Sequence, residues 1–151
     1  MITVTKTYSD LPAAHRQPNH DGHCRLIHGH NWRFDITFGC DELDENGFVI
    51  DVGKLGQVKE FMVAHFDHTL LLNESDPHLN FLKDTLSSSI TKGNFPFANI
   101  VVVPNCGMEG LAKFVLRSVQ GIVNRIPDAS QRKVKVLQVT CWEDSKNSST
   151  Y

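Results

Sequence analysis

The chain has 151 residues, of which 40% are hydrophobic and 21% charged, near the globular average, so disordered, collagen-like and coiled-coil classes drop out and one compact domain over residues 1–151 is expected. Fifteen basic against seventeen acidic residues leave a formal charge of -2, which offers no broad footprint for nucleic acid or an anionic membrane. The amino terminus has neither a basic n-region nor an apolar h-region, and Cys24, Cys40, Cys106 and Cys141 form no CxxC pair, which together predict a reducing, cytoplasmic setting with free thiols.

Residues 2–8 alternate as a strand, and residues 31–39 form a second, with Trp32, Phe34, Ile36 and Phe38 on one face. Asn46-Gly47 is expected to turn the chain back into a short strand at Phe48-Val49-Ile50. Asp51 is placed to cap a helix with Leu55, Val58, Phe61, Met62, His65 and Phe66 on its inner stripe, ended by a loop containing Asp67-His68. Asp76-Pro77 opens a second helix with Leu79, Leu82, Leu86 and Ile90 at helical spacing. A strand is expected over 98–103. A third helix follows from Asn105, carrying Met108, Leu111, Ala112, Val115, Val119, Ile122 and Ile126 inward until Pro127 stops it. The last strand, 133–143, puts Leu137, Val139, Cys141 and Glu143 in one row. This order predicts an α+β fold whose mainly antiparallel sheet is covered on one face by helices.

Five of the eight histidines, His15, His20, His23, His28 and His30, fall between residues 15 and 30. His28-Gly29-His30 is the sharpest part, because residues two apart on a strand point to one side and can offer two imidazoles to one ion. The pair shares parity with Trp32 and Phe34, so it closes a buried face. His15 is the preferred third ligand, beside the small Ala13-Ala14, with His20 and His23 as rivals. Three neutral imidazoles leave zinc a fourth position for water or substrate. Cys24, four residues before His28, is either a fourth ligand or a nucleophile or base beside the metal. Asp67 could orient and charge the His68 imidazole within reach of a thiol. Glu143 stands where periodicity wants an apolar residue and is either a strand-end surface acid or a ligand anchor; Glu109 also suits the first turn of a helix. The acidic run 41–47 fails as a calcium loop because its twelfth position would be Gly53.

Ala13-Ala14-His15-Arg16, Cys24-Arg25-Leu26-Ile27-His28-Gly29-His30-Asn31, Gly47-Phe48-Val49-Ile50-Asp51, Asp67-His68, Glu109 and Glu143, in that order over roughly residues 2–143, resemble the 6-pyruvoyl-tetrahydropterin synthase and 6-carboxytetrahydropterin synthase family. The resemblance implies the tunnelling fold (T-fold), a homotrimer or stacked homohexamer with sites between subunits, and a small-molecule pterin substrate. It implies that His15, His28 and His30 hold Zn2+, that Cys24 is the catalytic thiolate, that Asp67 and His68 complete a proton relay, and that Glu143 grips the pterin, with Glu109 also at the substrate. In the carboxy branch 7,8-dihydroneopterin triphosphate yields 6-carboxytetrahydropterin, acetaldehyde and triphosphate for queuosine synthesis; in the pyruvoyl branch the carbon chain stays. The chain departs from the family at Cys106-Gly107, where Pro-Thr is usual, and this keeps a non-catalytic pterin- or metal-binding homologue as the competing reading. Arg16, Arg25 and Lys54 are the candidates for the triphosphate.

Overall fold

The computed structural model describes residues 1–87 and 96–151. Its core is one six-stranded sheet in the order β4-β3-β1-β2-β5-β6. The strands are β1 (Ile2–His15), β2 (His28–Cys40), β3 (Thr69–Asn73), β4 (Ile100–Val103), β5 (Lys135–Trp142) and β6 (Ser148–Thr150). β1, β2, β5 and β6 pair antiparallel, while β3 and β4 add in parallel beside β1. Among the described residues the α-helices are α1 (Gly56–Phe66), α2 (Leu79–Leu86), α3 (Met108–Val123) and α4 (Pro127–Gln131). Ile90, expected on the second helical stripe, lies outside the described residues.

The period-two row of β2 does what its pattern demands. Trp32, Phe34, Ile36 and Phe38 are each fully buried, against Val58, Met62 and Phe66 of α1 and Leu111, Val115 and Val119 of α3. Each such side chain contributes roughly 1.5–3 kcal/mol by leaving water. The opposite face of β1 and β2 is polar: Thr5 and Thr37 share a hydroxyl hydrogen bond, and Asp35 accepts from Thr7, Arg33 and Trp142. Burial alone would raise the Asp35 carboxyl, but these donors hold it below the usual carboxylate range.

Several boundaries differ from the sequence expectation, each for a local reason. β1 runs on past Tyr8 to His15 through a bulge between Tyr8 and Leu11, where Asp10 takes the left-handed backbone that Asp and Asn tolerate best (φ 59°). Residues 48–50 are not a strand. The Asp44 carboxylate accepts the backbone N–H groups of Asn46 and Phe48, and the Phe48 and Val49 carbonyls face the Arg132 guanidinium at 3.4 and 3.1 Å, so no ladder forms. Asp51 caps a 3-10 turn, Val52–Lys54, and α1 begins only at Gly56. β3 was not expected at all. All five of its residues are buried, so no alternation marks it. The third helix begins at Met108 rather than Asn105, whose side chain accepts the Gly107 N–H instead. Pro127 opens α4 as its first residue, a position that suits its fixed φ. In β5 a bulge between the Thr37 and Phe38 pairings makes Leu137 the extra residue, so Val136 points inward and Leu137 lies over Gly39 on the other side.

Two glycines of α3 are expected to respond oppositely to alanine. At Gly121 no atom lies within 4 Å of an added Cβ, so Gly121→Ala should raise stability by about 1 kcal/mol through helix propensity. At Gly110 the same Cβ would sit 2.5 Å from Asn105 Cβ and 2.6 Å from its carbonyl oxygen, so Gly110→Ala should cost about 1–3 kcal/mol despite the better helix former. Denaturant midpoints of the two variants check the sign of each.

Candidate metal centre and pterin pocket

The β1–β2 ladder positions the histidines. His15 pairs with His28 at the open end of the two strands, and Ala13 pairs with His30. His28 and His30 share a face because two residues complete one strand period, and His15 reaches the same point from across the ladder. The three ring centroids lie 4.6, 5.1 and 5.1 Å apart, and one nitrogen from each ring falls within 4.8 Å of the others. Trp32 floors the cluster, meeting His15 and His30 edge-on at 5.0 and 5.3 Å while its indole N–H donates to the Ala13 carbonyl at 3.1 Å.

The hydrogen bonds around the rings decide what they can bind. His15 Nδ1 is 2.7 Å from the Cys106 carbonyl oxygen, and His28 Nδ1 is 2.7 Å from that of Leu26. A carbonyl only accepts, so both Nδ1 atoms carry the proton and both Nε2 atoms present lone pairs. Yet those two Nε2 atoms are only 3.1 Å apart. A proton shared between them would require an imidazolium. Burial opposes that at His15: desolvation, reinforced by the neighbouring His28 and His30 against a raising contribution from the Cys106 hydrogen bond, pulls its pKa down to about 4. The His30 Nε2 is buried with no hydrogen-bond partner, 3.8 Å from a Glu143 carboxylate oxygen. A cation among the three nitrogens satisfies all of these atoms at once, and the donor set suits zinc and other metals that favour imidazole. His15, His28 and His30 are therefore brought together as expected. His20 and His23 stay outside the group; the His20 ring accepts the Gly22 N–H.

Cys24 sits half-buried in a 3-10 turn, His23–Arg25, with its carbonyl accepting the Gln17 N–H at 2.7 Å. Its sulfur is not part of the close group of ligand atoms, which disfavours the fourth-ligand alternative. Asp67 and His68 form a tight pair, Oδ1 to Nδ1 at 2.6 Å, with the His68 side chain 85% exposed on a left-handed backbone (φ 58°). The His68 N–H donates to the Pro12 carbonyl, whereas Cys24 is tied to Gln17. Glu143 stands beside His30, and Glu109 is exposed in the first turn of α3. Burial first, then the Glu143 and Glu109 carboxylates, push the thiol of Cys141 far up, which makes it an inert core residue.

Two further groups, the Cys106 carbonyl and Asn73, carry the site without a sequence signal that announced them, and the structure gives Arg16 a partner. The Cys106 carbonyl, not its thiol, orients His15; the thiol is buried, pushed up by that burial, and donates to the Arg16 carbonyl at 3.2 Å. Asn73 at the end of β3 accepts the Cys106 N–H at 2.7 Å and donates to Gln17 at 3.3 Å. Arg16 lies 3.0 Å from the fully buried Asp76 carboxylate, which occupies one of the three triphosphate candidates; Lys54 is 3.9 Å from Asp51.

A mixed sheet backed by helices on one face, with three imidazoles at the mouth of its central antiparallel pair, defines a tunnelling-fold protein with a histidine-lined pocket. The chain belongs to the 6-pyruvoyl tetrahydropterin synthase family, whose pattern matches residues 3–151. It is 35% identical over 80 residues to the 6-carboxy-5,6,7,8-tetrahydropterin synthase of Rickettsia typhi, a match spanning 52% of this chain and 57% of that protein. It is 27% identical over 129 residues to the enzyme of the same name from Aquifex aeolicus, spanning 85% and 75% of the two chains. Among solved structures, an uncharacterized protein from Wolinella succinogenes superposes with a TM-score of 0.77 at 22% identity, covering 99% of this chain and 97% of the other. The 6-pyruvoyltetrahydropterin synthase of Plasmodium vivax gives 0.66 at 17% identity, covering 100% and 98%. The chain thus matches little more than half the length of its Rickettsia relative and shares its fold across the whole of the solved ones. Among the described residues no helix is long and apolar enough to cross a membrane.

Proposed function

We propose that the protein is a zinc-dependent 6-carboxy-5,6,7,8-tetrahydropterin synthase, a lyase that converts 7,8-dihydroneopterin triphosphate to 6-carboxytetrahydropterin, acetaldehyde and triphosphate in cytoplasmic queuosine synthesis. The observation that carries it is the pair of imidazole lone pairs 3.1 Å apart, each fixed by a carbonyl behind it, beside a third buried and partnerless ring nitrogen. Names of the curated relatives favour the carboxy branch over 6-pyruvoyl-tetrahydropterin formation.

In this reading His15, His28 and His30 hold the metal, which when bound polarises the oxygen substituents of the pterin side chain and makes a neighbouring C–H more acidic. Glu143 and Glu109 accept hydrogen bonds from the ring's N–H groups and set its depth. Cys24, as thiolate, takes a proton from the side chain. Asp67 holds His68 with its Nδ1–H toward the carboxylate, leaving Nε2 to pass a proton. The exposed His68 side chain completes the relay with the thiol of a second copy, in a homotrimer or homohexamer with sites between subunits.

The test is the product spectrum: zinc-loaded protein given 7,8-dihydroneopterin triphosphate should release acetaldehyde and the 6-carboxy product. The 6-pyruvoyl product without acetaldehyde would move the protein to the other branch, and binding without turnover would establish the non-catalytic reading that Cys106-Gly107 keeps alive. Cys24→Ala is expected to lower turnover at least about a hundredfold with metal content unchanged, measured by product formation and elemental analysis. Loss of metal in that variant would instead make the sulfur a structural ligand.

A further inference from the structure

Gly107 is the N-cap of α3, a position usually taken by Ser, Thr, Asp or Asn, and here no side chain caps the helix. Its backbone, φ -78° and ψ 162°, is open to any residue. What excludes a side chain is space. A Cβ at Gly107 would lie 2.8 Å from Gln17 Nε2, 3.2 Å from Asn105 Oδ1 and 3.4 Å from Glu109 Oε2. The Gln17 amide therefore stands where a side chain from the head of α3 would be.

The orientation of that amide is set by a chain of obligatory roles. The Cys106 N–H can only donate, so the Asn73 atom 2.7 Å away is its oxygen. The other end of Asn73 is then the NH2 group, and it donates to Gln17 Oε1 at 3.3 Å. This turns the Gln17 nitrogen toward Gly107. Among the described residues that nitrogen has no hydrogen-bond partner, and it stands with the Glu109 carboxylate on the same side of Gly107, both within 3.4 Å of where a Cβ there would be. This donor and acceptor adjoin the histidine cluster, since His15 precedes Gln17 on the same segment and is bonded to the carbonyl of Cys106.

A donor beside a carboxylate acceptor complements an adjacent C=O and N–H, the lactam edge of an oxo-heterocycle. We propose that Gln17 is a substrate-positioning and specificity-determining residue, its amide N–H donating to the ring carbonyl of a pterin whose neighbouring ring N–H is accepted by Glu109. This rests on the pterin reading above and adds to it the residue that distinguishes a 4-oxo from a 4-amino ring. With an amino group in place of the carbonyl, two donors would face each other, an unpaired polar contact that sites of this kind reject strongly.

The experiment uses two pteridines that differ only at position 4, 2-amino-4-oxo-6,7-dimethylpteridine and 2,4-diamino-6,7-dimethylpteridine, titrated by their fluorescence against the zinc-loaded full chain. The wild type should bind the oxo compound roughly tenfold more tightly than the diamino one. Gln17→Leu should weaken the oxo compound about three- to tenfold and erase most of the preference, with metal content unchanged. Gln17→Glu, which exchanges the donor for an acceptor at equal size, should reverse the preference toward the diamino compound. A preference that survives in both variants overturns the assignment of Gln17 while leaving the pterin reading intact. Failure of the wild type to bind either pteridine overturns both.

Discussion

Alanine at His15 is expected to lower metal affinity at least a hundredfold, since roughly 10–16 kcal/mol of zinc binding shared among three imidazoles comes to about 3–5 kcal/mol for each. The effect should exceed that of a merely missing nitrogen. His15 is the most buried of the three rings, its tautomer is fixed by the Cys106 carbonyl, and its removal leaves that carbonyl without its donor. Cys106→Ala is the informative companion: because the backbone oxygen and not the thiol holds the ring, that variant should keep its metal. His20→Ala, outside the cluster, should keep it too. Metal content by elemental analysis and competition with a chelator of known affinity measure all three. Full metal stoichiometry in His15→Ala would show that the ion sits elsewhere.

Trp32→Ala should be the most destabilising single change in the sheet, costing about 3–5 kcal/mol in denaturant unfolding. The side chain is fully buried, and its loss removes core volume, the bond to the Ala13 carbonyl and the edge contacts that support His15 and His30. Metal affinity should fall with it although Trp32 donates no ligand, because the two rings lose the floor that keeps their nitrogens converging. Trp32→Phe, which keeps most of the volume and loses the indole N–H, should cost about 1–3 kcal/mol and retain metal. Equal stability of the alanine variant and the wild type would overturn the account of the core.

The parts of this molecule visible in its sequence are those where one physical demand acts alone. Trp32, Phe34, Ile36 and Phe38 face a single core from a strand half exposed to solvent, so their period is undisturbed. The histidine spacing was legible for the same reason, since His28 and His30 continue that row. Where two demands compete, the pattern is hidden. Thr69–Asn73 is buried on both faces and has no alternation to read. Asp10 and Leu137 each interrupt a strand with a bulge, so β1 reads as ending early and β5 reads with the wrong residue inward. Residues 48–50 have strand-like side chains but carbonyls claimed by Arg132, an interaction from another part of the chain. In the site, His28 and His30 could be paired from their spacing and His15 preferred over His20 and His23, whereas the Cys106 carbonyl could not be named, because every residue carries one. Gln17 and Asn73 were equally silent: their roles depend on a glycine that stands far away in sequence and makes room for an amide.

The bond between the Cys106 carbonyl and His15 has a thermodynamic consequence. The residue whose oxygen steadies this imidazole is followed at once by the head of α3, where Gly107 and Glu109 stand beside the Gln17 amide. Any ligand that draws the head of α3 inward or holds it still also holds the His15 donor atom in register, and occupation of the histidine cluster steadies α3 in return. Linkage is reciprocal, so the factor by which an ion tightens the organic ligand must equal the factor by which the organic ligand tightens the ion. In the proposed function one backbone oxygen would thus join the affinity for the ion to the affinity for the organic ligand.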